Sequence, residues 1–217
     1  MKKYELTEEM IEWFGRTLHR IRACRDFETI NGTKVKKGDL GGFIEKEDNL
    51  SQEGCSWVGD NAKVCGHAQV YDNAQVCGHA KVYGYAEVYD NALVCGNPEV
   101  YGYAKVCGHA QVYDNAQVCG HAKVYGNAEV CDNALLRDNT LVCGCAKVYG
   151  NALVRDNTLA CDDAEVYGNA AVYDNAEVYG NAQVYDNATL YDNTEVCGNA
   201  KVYGNAEVCG ESCIGSM

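Results

Sequence analysis

An apolar residue recurs at every sixth position of the chain from Val58 to Ile214. The residue is valine at nearly all of these 27 positions, with Leu136, Ala160 and Leu190 as the internal exceptions. Each apolar residue is mostly followed in turn by Tyr or Cys, Gly or Asp, Asn or His, Ala, and a variable residue. A fixed period without insertions is typical of proteins that stack short structural repeats. Residues 58–217 are therefore predicted to form one repeat segment.

Each hexad predicts one short strand and one corner. In Ala-x-Val-Tyr or Ala-x-Val-Cys, the Ala and Val side chains point to one side of the strand, and the variable residue and the Tyr or Cys point to the other. The Gly/Asp and Asn/His pair predicts the corner. Asn is expected to adopt the left-handed conformation there, since it tolerates that conformation well for a non-glycine residue. A helix is excluded, because Gly or Asp followed by Asn every six residues would interrupt it.

The repeat resembles the hexapeptide repeat of left-handed parallel β-helices. In that family an aliphatic residue is followed four positions later by a small one, as in Val64 and Ala68 or Val178 and Ala182. The resemblance implies an all-β fold: a single-stranded, left-handed parallel β-helix with three hexads in each triangular coil, and hence nine coils. This chain departs from the family directly after the aliphatic residue, where it has Tyr or Cys and the family favours small or acidic residues.

The segment 1–57 lacks the repeat and is predicted to be a small α+β cap over the open end of the solenoid. Thr7-Glu8-Glu9 resembles the N-cap and first turn of a helix, so a short helix is expected from Thr7 to about Phe14. A strand is predicted from Leu18 to Phe27, and Asn31-Gly32 predicts a hairpin turn. The chain is thus divided into a capping segment, 1–57, and a solenoid, 58–217.

Four short motifs near the N-terminus are similar to the start of YdcK-type β-solenoid proteins. The motifs are Arg25-Asp26-Phe27, Gly41-Gly42-Phe43-Ile44, Asn49-Leu50-Ser51-Gln52 and Trp57-Val58. Relatives of that kind are common in bacterial and prophage genomes and usually have no assigned activity. The resemblance implies the solenoid fold for the whole chain and an origin in a phage or prophage.

The charge of the chain is strongly acidic and lies on the solenoid. The chain contains 18 Lys and Arg but 31 Asp and Glu, which gives a net charge of −13. Residues 1–57 contain ten basic and eleven acidic residues, so that −12 remains for the repeats. Such a balance disfavours direct binding of nucleic acid or of an anionic membrane. Neither a secretory signal nor a run of transmembrane length is visible, and we expect a protein of the bacterial cytoplasm.

Fourteen cysteines would indicate disulfides in a small secreted protein, but a reducing compartment favours free thiols. They alternate with Tyr at an outward position and lack the paired spacing of metal ligands. At 18 residues per coil, Cys143 lies over Cys161 and Cys77 over Cys95. These cysteines are interpreted as neutral outward residues of a sheet. Oxidation of either pair, or a metal held by Cys143, Cys145 and Cys161, is left as an open alternative.

The same spacing predicts two other columns of identical residues. One is a tyrosine ladder, which comprises Tyr149, Tyr167, Tyr185 and Tyr203. We interpret it as a regular sheet surface, or alternatively as an aromatic surface for sugars, bases or a protein. The other is an aspartate column, which comprises Asp138, Asp156, Asp174 and Asp192. It is interpreted as a solvated corner, with a cation site or an anionic recognition edge as the alternatives.

Four leucines occupy variable outward positions that elsewhere carry mostly Lys, Glu or Gln. These residues form the leucine patch, accompanied by two arginines: Leu135, Leu141, Leu153 and Leu159, with Arg137 and Arg155. An outward apolar patch marks a contact surface. We expect the patch and the tyrosine ladder to serve self-association or the binding of a protein partner.

An enzyme is not expected. His67, His79, His109 and His121 all lie in Cys-Gly-His-Ala, and the spacing places them too far apart to act together. Acyltransferases of the hexapeptide family cover their substrate with inserted loops, and no insertion interrupts the hexads. Residues 62–84 are also identical to residues 104–126, a shift of seven hexads, which moves the copy to another face.

The sequence therefore predicts a non-enzymatic structural or interaction protein of phage or prophage origin that requires no cofactor. It would present stacked Tyr, Asn and Asp side chains to a partner or to itself. Two alternatives stay open. One is an acidic, DNA-mimicking inhibitor of a host nucleic-acid-binding or defence protein. The other is a degenerate hexapeptide acyltransferase.

Overall fold

The chain folds as an all-β solenoid of stacked parallel coils, seen in a computed structural model that describes residues 2–215. Residue 1 of the predicted capping segment and residues 216 and 217 of the predicted solenoid lie outside the described part. The N-terminal elements are β1 (Tyr4–Trp13), β2 (Arg16–Ala23), β3 (Phe27–Glu28), β4 (Lys34–Val35), β5 (Leu40–Ile44) and a 3-10 turn, Glu47–Asn49.

The repeat segment contains strands of two residues each: β6 (Trp57–Val58), β7 (Lys63–Val64), β8 (Gln69–Val70), β9 (Gln75–Val76), β10 (Lys81–Val82), β11 (Glu87–Val88), β12 (Leu93–Val94), β13 (Glu99–Val100), β14 (Lys105–Val106), β15 (Gln111–Val112), β16 (Gln117–Val118), β17 (Lys123–Val124), β18 (Glu129–Val130), β19 (Leu135–Leu136), β20 (Leu141–Val142), β21 (Lys147–Val148), β22 (Leu153–Val154), β23 (Leu159–Ala160), β24 (Glu165–Val166), β25 (Ala171–Val172), β26 (Glu177–Val178), β27 (Gln183–Val184), β28 (Thr189–Leu190), β29 (Glu195–Val196), β30 (Lys201–Val202), β31 (Glu207–Val208) and β32 (Cys213–Ile214).

The strands form three parallel faces. Face 1 contains β5 and every third strand from β7 to β31, face 2 every third strand from β8 to β32, and face 3 every third strand from β6 to β30. Each strand pairs with the strand 18 residues further on, so that Val82 lies beside Val100. The predicted coil of three hexads is therefore confirmed. We name each corner after the face that precedes it, so that corner 1 joins face 1 to face 2.

The core is a stack of small apolar side chains. The Val and Ala of each hexad point inward, and most of them are fully buried. Thr140, Thr158 and Thr194 replace Ala at three places, and their hydroxyls donate hydrogen bonds of 2.7, 2.6 and 2.7 Å to backbone carbonyls three residues earlier. Val and Ala fill most of the narrow interior of the repeat, with Leu136 and Leu190 as its larger inward residues, which explains why Phe is rare in the chain.

The left-handed residue of each corner is the Gly or Asp, not the following Asn. Asp90 has φ +56° and Gly84 has φ +75°. The prediction for Asn was wrong, because hydrogen bonding favours the other assignment. Asp90 Oδ2 accepts a hydrogen bond from the backbone N–H of Gly108 in the next coil, at 3.1 Å. Asn side chains instead bond to one another along the axis, as from Asn133 Nδ2 to Asn151 Oδ1 at 3.1 Å.

The predicted N-terminal helix is also wrong, because residues 4–13 form strand β1. This strand pairs antiparallel with β2, and β2 pairs antiparallel with β5, so that both extend face 1. The apparent N-cap is a bulge: the β1–β2 register shifts between Leu6 and Met10, and Thr7 Oγ1 accepts the N–H of Glu9 at 3.3 Å. A Thr hydroxyl that accepts a hydrogen bond from the backbone N–H two residues later can stabilise a β-bulge as well as a helix N-terminus.

The coils begin before the predicted boundary at residue 58. Ile44 lies beside Val64, Leu50 beside Val70, and Val58 beside Val76. Face 1 therefore contains ten parallel strands, from β5 to β31, and the other faces contain nine each. The short hairpin predicted at Asn31-Gly32 is present between β3 and β4, with Gly32 at φ +82°.

Lys3 and Tyr4 are buried against this first coil. Lys3 Nζ donates hydrogen bonds to Ser56 Oγ at 3.0 Å and to the Glu53 carbonyl at 3.1 Å. The Tyr4 hydroxyl donates to the Leu50 carbonyl at 2.6 Å. Burial lowers the pKa of Lys3 to about 8, since a charged ammonium is less stable away from water. These contacts fasten β1 to the coil beneath it.

Candidate functional site

Four aromatic rings stack along corner 1 near the N-terminal end of the solenoid. This corner-1 ladder comprises His67, Tyr85, Tyr103 and His121, with successive ring centroids 4.7, 5.0 and 4.9 Å apart and planes within 9° of parallel. Each ring follows a left-handed glycine, and the His67 and Tyr85 N–H groups donate to carbonyls of the next coil at 2.7 Å. All four side chains are exposed, and Tyr85 and Tyr103 are 50% and 51% accessible.

The aromatic occupancy of corner 1 is a local departure from the amide pattern. After His121 the same column continues as Asn139, Asn157, Asn175 and Asn193, whose side chains form hydrogen bonds of 3.0, 3.1 and 3.2 Å. Asn also predominates at the other two corners. Because Asn satisfies the fold at equivalent positions, the backbone does not require these rings.

A groove runs beside the corner-1 ladder. It has a volume of about 340 Å³ and is lined by the ladder residues His67, Tyr85 and Tyr103, by Gln69 and Glu87 of face 2, and by Lys46 and Asp48 near the 3-10 turn. We call it the corner-1 groove. A second depression of about 390 Å³ continues the line, with His121, Lys123, Asn139, Thr140 and Leu141 around it.

Glu87 is the most firmly held polar residue of the corner-1 groove. Its carboxylate accepts a hydrogen bond from Lys105 Nζ at 2.9 Å and another from the Tyr71 hydroxyl at 3.3 Å. Lys105 lies one coil further along the same face, so that an ammonium and a carboxylate stand side by side next to the rings. The groove therefore offers hydrogen-bond donors and acceptors beside aromatic carbon.

The four candidate histidines are dispersed. His67 and His121 lie at the two ends of the corner-1 ladder, His79 lies at corner 3, and His109 lies at corner 2, where it contacts Asn91 at 3.4 Å. The sequence predicted that the histidines lie apart, but Tyr85 and Tyr103, which lie between His67 and His121 on one corner, were missed. The signal was the 18-residue spacing of the four residues.

The tyrosine ladder stacks along face 3. The ring centroids of Tyr149, Tyr167, Tyr185 and Tyr203 lie 4.8, 4.9 and 5.4 Å apart, with planes within 13° of parallel. Stacked rings turn their faces toward each other, so the ladder directs ring edges and hydroxyl groups outward. A broad flat aromatic surface, one of the alternatives drawn from the sequence, is therefore not what this column presents.

The leucine patch is divided between two faces. Leu135 lies beside Leu153 on face 1, and Leu141 lies beside Leu159 on face 2. All four are half-buried, since each packs between outward side chains of adjacent coils. The Arg155 guanidinium lies 4.2 Å above the Tyr173 ring and 2.6 Å from the Asp156 carboxylate. The patch thus flanks corner 1 from both sides.

The aspartate column lies at corner 1, with each residue in the left-handed conformation. Arg137 pairs with Asp138 at 3.6 Å and Arg155 pairs with Asp156 at 2.6 Å. The column does not converge on a shared point.

Within residues 2–215, one group of three potential metal ligands has atoms within 4.8 Å of one another: Asp114, Cys131 and Asp132. It lies at corner 3, away from the aspartate column. Burial raises the pKa of the Cys131 thiol, which disfavours the thiolate that a metal would need.

All 14 cysteines are free thiols. Cys77 and Cys95 follow paired strands of face 3, and Cys143 and Cys161 follow paired strands of face 2, so the predicted stacking is present. Burial raises the pKa of both Cys65 and Cys161 to about 11. These two thiols are therefore interpreted as packing groups of low reactivity.

We expect Cys65 to be alkylated by iodoacetamide roughly 100-fold more slowly than the exposed Cys145, since each pKa unit changes the thiolate fraction tenfold. Peptide mass spectrometry after timed labelling at neutral pH measures both rates. In denaturant the two rates should converge. Equal rates in the folded protein would contradict the burial of Cys65.

No helix within residues 2–215 is long and apolar enough to cross a membrane. Comparison of the chain with protein-family models and with curated proteins yields no match.

Proposed function

We propose that this chain is a non-enzymatic β-solenoid that acts as a structural and interaction module and presents its side-chain ladders to a partner or to a second copy. The observation that carries the proposal is that no long loop is inserted between the described strands of the repeat segment. From Val58 to Ile214, successive strands are joined only by short corners, so that no loop rises to enclose a substrate. A rod of this kind offers repeated outward side chains at constant spacing.

The duplicated segment supports the same function. Residues 62–84 and 104–126 are identical, yet Val64 lies on face 1 and Val106 lies on face 2. A catalytic constellation depends on one fixed arrangement of residues. A scaffold, by contrast, accepts the same hexads on any face. An origin in a phage or prophage is part of this proposal and depends on the resemblance to YdcK-type proteins.

Mimicry of nucleic acid by the aspartate column has less support. Arg137 and Arg155 pair with Asp138 and Asp156, which leaves Asp174 and Asp192 as the two members without an arginine beside them in sequence. Partial neutralisation shortens the anionic edge that a DNA-binding protein would recognise.

Self-association through the leucine patch is tested by the double variant Leu141→Lys/Leu159→Lys. Two charges on this patch oppose the burial of apolar surface between copies, so we expect the unsubstituted protein to sediment as an oligomer and the double variant as a monomer. Sedimentation velocity measures the change. The matched control is Leu93→Lys, which alters a half-buried outward leucine of face 3 between Gln75 and Gln111. An unchanged sedimentation profile of the double variant would contradict the assignment of the patch.

A further inference from the structure

The corner-1 ladder exposes aromatic surface that the fold does not need. An Asn at each of these positions would continue the amide ladder, as Asn139 and Asn157 do at 3.0 Å. Instead, Tyr85 and Tyr103 leave half of their surface in water. Exposed aromatic side chains grouped beside a groove are typical of a contact site.

The chemistry of the corner-1 groove is mixed rather than apolar. One wall consists of the edges of three rings, those of His67, Tyr85 and Tyr103, and carries two phenol hydroxyls and one imidazole. The other wall carries the amide of Gln69 and the carboxylate of Glu87, and Lys46 and Asp48 lie at one end. The contacts of Glu87 with Lys105 and Tyr71 hold its carboxylate in place before any ligand arrives.

Three classes of ligand fit this groove poorly. A peptide cannot add as a strand, because the N–H groups of Tyr85 and Tyr103 already donate to the next coil at 2.7 Å. A polyanion such as single-stranded nucleic acid is disfavoured by the net charge of −13, because Lys46 and Lys105 only balance the carboxylates of Asp48 and Glu87 in the groove. A flat aromatic molecule finds no open slot, since neighbouring rings cover the faces of the two tyrosines.

A neutral carbohydrate matches what remains. Its hydroxyl groups both donate and accept hydrogen bonds, so they pair equally with carboxylate, amide, ammonium and phenol groups. Its C–H groups make van der Waals contact with ring edges, which are the part of the aromatic side chains that the stacked ladder turns outward. Its repeating units lie along a line, as do the side chains of the groove, which repeat once per coil. Side chains alone can supply all of these contacts.

We infer that the corner-1 groove binds a linear neutral oligosaccharide that lies along the solenoid axis. The inference rests on the proposed function, because it names the ligand class for one surface of a non-enzymatic binding module. Tyr85 and Tyr103 are the central contacts, with Glu87 and Gln69 as the hydrogen-bonding residues opposite them.

The test is calorimetric titration of the full chain with four neutral hexasaccharides: β-1,4-linked glucose, β-1,3-linked glucose, α-1,4-linked glucose and β-1,4-linked N-acetylglucosamine. We expect saturable binding of at least one of them. The double variant Tyr85→Asn/Tyr103→Asn should bind it at least tenfold more weakly, while it keeps the circular dichroism and melting profile of the solenoid. The matched control is Tyr167→Asn in the tyrosine ladder on face 3, which should bind unchanged.

Three outcomes would overturn the inference: failure of all four sugars to bind, unchanged binding by the double variant, or tighter binding of single-stranded DNA than of any sugar. The mass of the hexasaccharide after incubation with the protein distinguishes a failure of this inference from a failure of the proposed function. Recovery of the hexasaccharide at its original mass agrees with both. A shortened hexasaccharide would leave the site in place and contradict the non-enzymatic function.

Discussion

Replacement of Gly126 by valine is expected to lower the free energy of unfolding by about 3 kcal/mol or more, whereas replacement by aspartate should change it by less than about 1 kcal/mol. Gly126 is the left-handed residue of a corner, with φ +73°, and an added Cβ would lie 2.8 Å from the Gly144 carbonyl oxygen. Both variants share this Cβ contact, which the corner accommodates where Asp90 lies over Gly108. Valine adds the strain of a β-branched residue in this conformation and two methyl groups against the next coil.

Aspartate is the matched control because the chain already places it in this conformation. Eleven described aspartates have φ between +52° and +64°. At the same corner, Asp90 Oδ2 accepts the N–H of Gly108 at 3.1 Å, and Gly126→Asp would place a carboxylate beneath the N–H of Gly144 in the same way. This added hydrogen bond offsets the backbone strain.

Denaturant unfolding followed by circular dichroism compares the two Gly126 variants. Both the midpoint and the steepness of the transition should be compared. Each coil of a repeat protein contacts only its neighbours, so unfolding does not always occur in one step. An equal loss of stability in both variants would contradict the role assigned to the corner conformation.

Alkaline pH is expected to unfold the solenoid in the range where its tyrosines resist ionisation. Burial, with Glu165 as a further cause, raises the pKa of Tyr149 to about 12. A hydrogen bond with Cys119, together with burial, raises the pKa of Tyr101 to about 12. An unfolded tyrosine ionises near pH 10. Between about pH 10 and 12 the folded state therefore holds more protons than the unfolded state, so the free energy of unfolding falls as the pH rises, with no such loss below pH 10.

Tyrosinate absorption and circular dichroism, followed together across this range, measure the effect. We expect ionisation to be delayed beyond pH 10 and then to rise steeply with the loss of β-structure. Tyr149→Phe should weaken the pH dependence of stability, since it removes one resistant proton site while keeping the ring in the ladder. Gradual ionisation centred near pH 10 without unfolding would contradict the burial of these hydroxyls.

The repeat segment was predictable because its structure is decided by short-range chemistry. Val at every sixth position, Ala four positions later and a Gly/Asp-Asn corner specify strand, turn and inward face within each hexad. The 18-residue period then places Val82 beside Val100, as observed. Which corner residue is left-handed was harder to predict, because it depends on the hydrogen bond that the N–H of Gly108 donates to the Asp90 carboxylate of the preceding coil.

The N-terminal segment was harder because its pattern suits two structures. Thr7-Glu8-Glu9 resembles a helix N-cap, yet the same Thr side chain supports a β-bulge in strand β1. The choice is made by the pairing of β1 with β2 and of β2 with β5, and by the burial of Tyr4 against the first coil. Such contacts override local preference for a helix.

The candidate site shows the same division. By itself the sequence determined the coil, the Val and Ala core, the columns of outward residues and the acidic charge of the rod, because each depends on a period that is written along the chain. Only the tertiary structure decided that the four rings of the corner-1 ladder stack with nearly parallel planes, that a groove opens between this ladder and Glu87, and that stacked rings turn their edges outward. These features depend on the orientation of side chains that lie one or more coils apart, and stacking geometry is a property of the assembled surface, not of any single hexad.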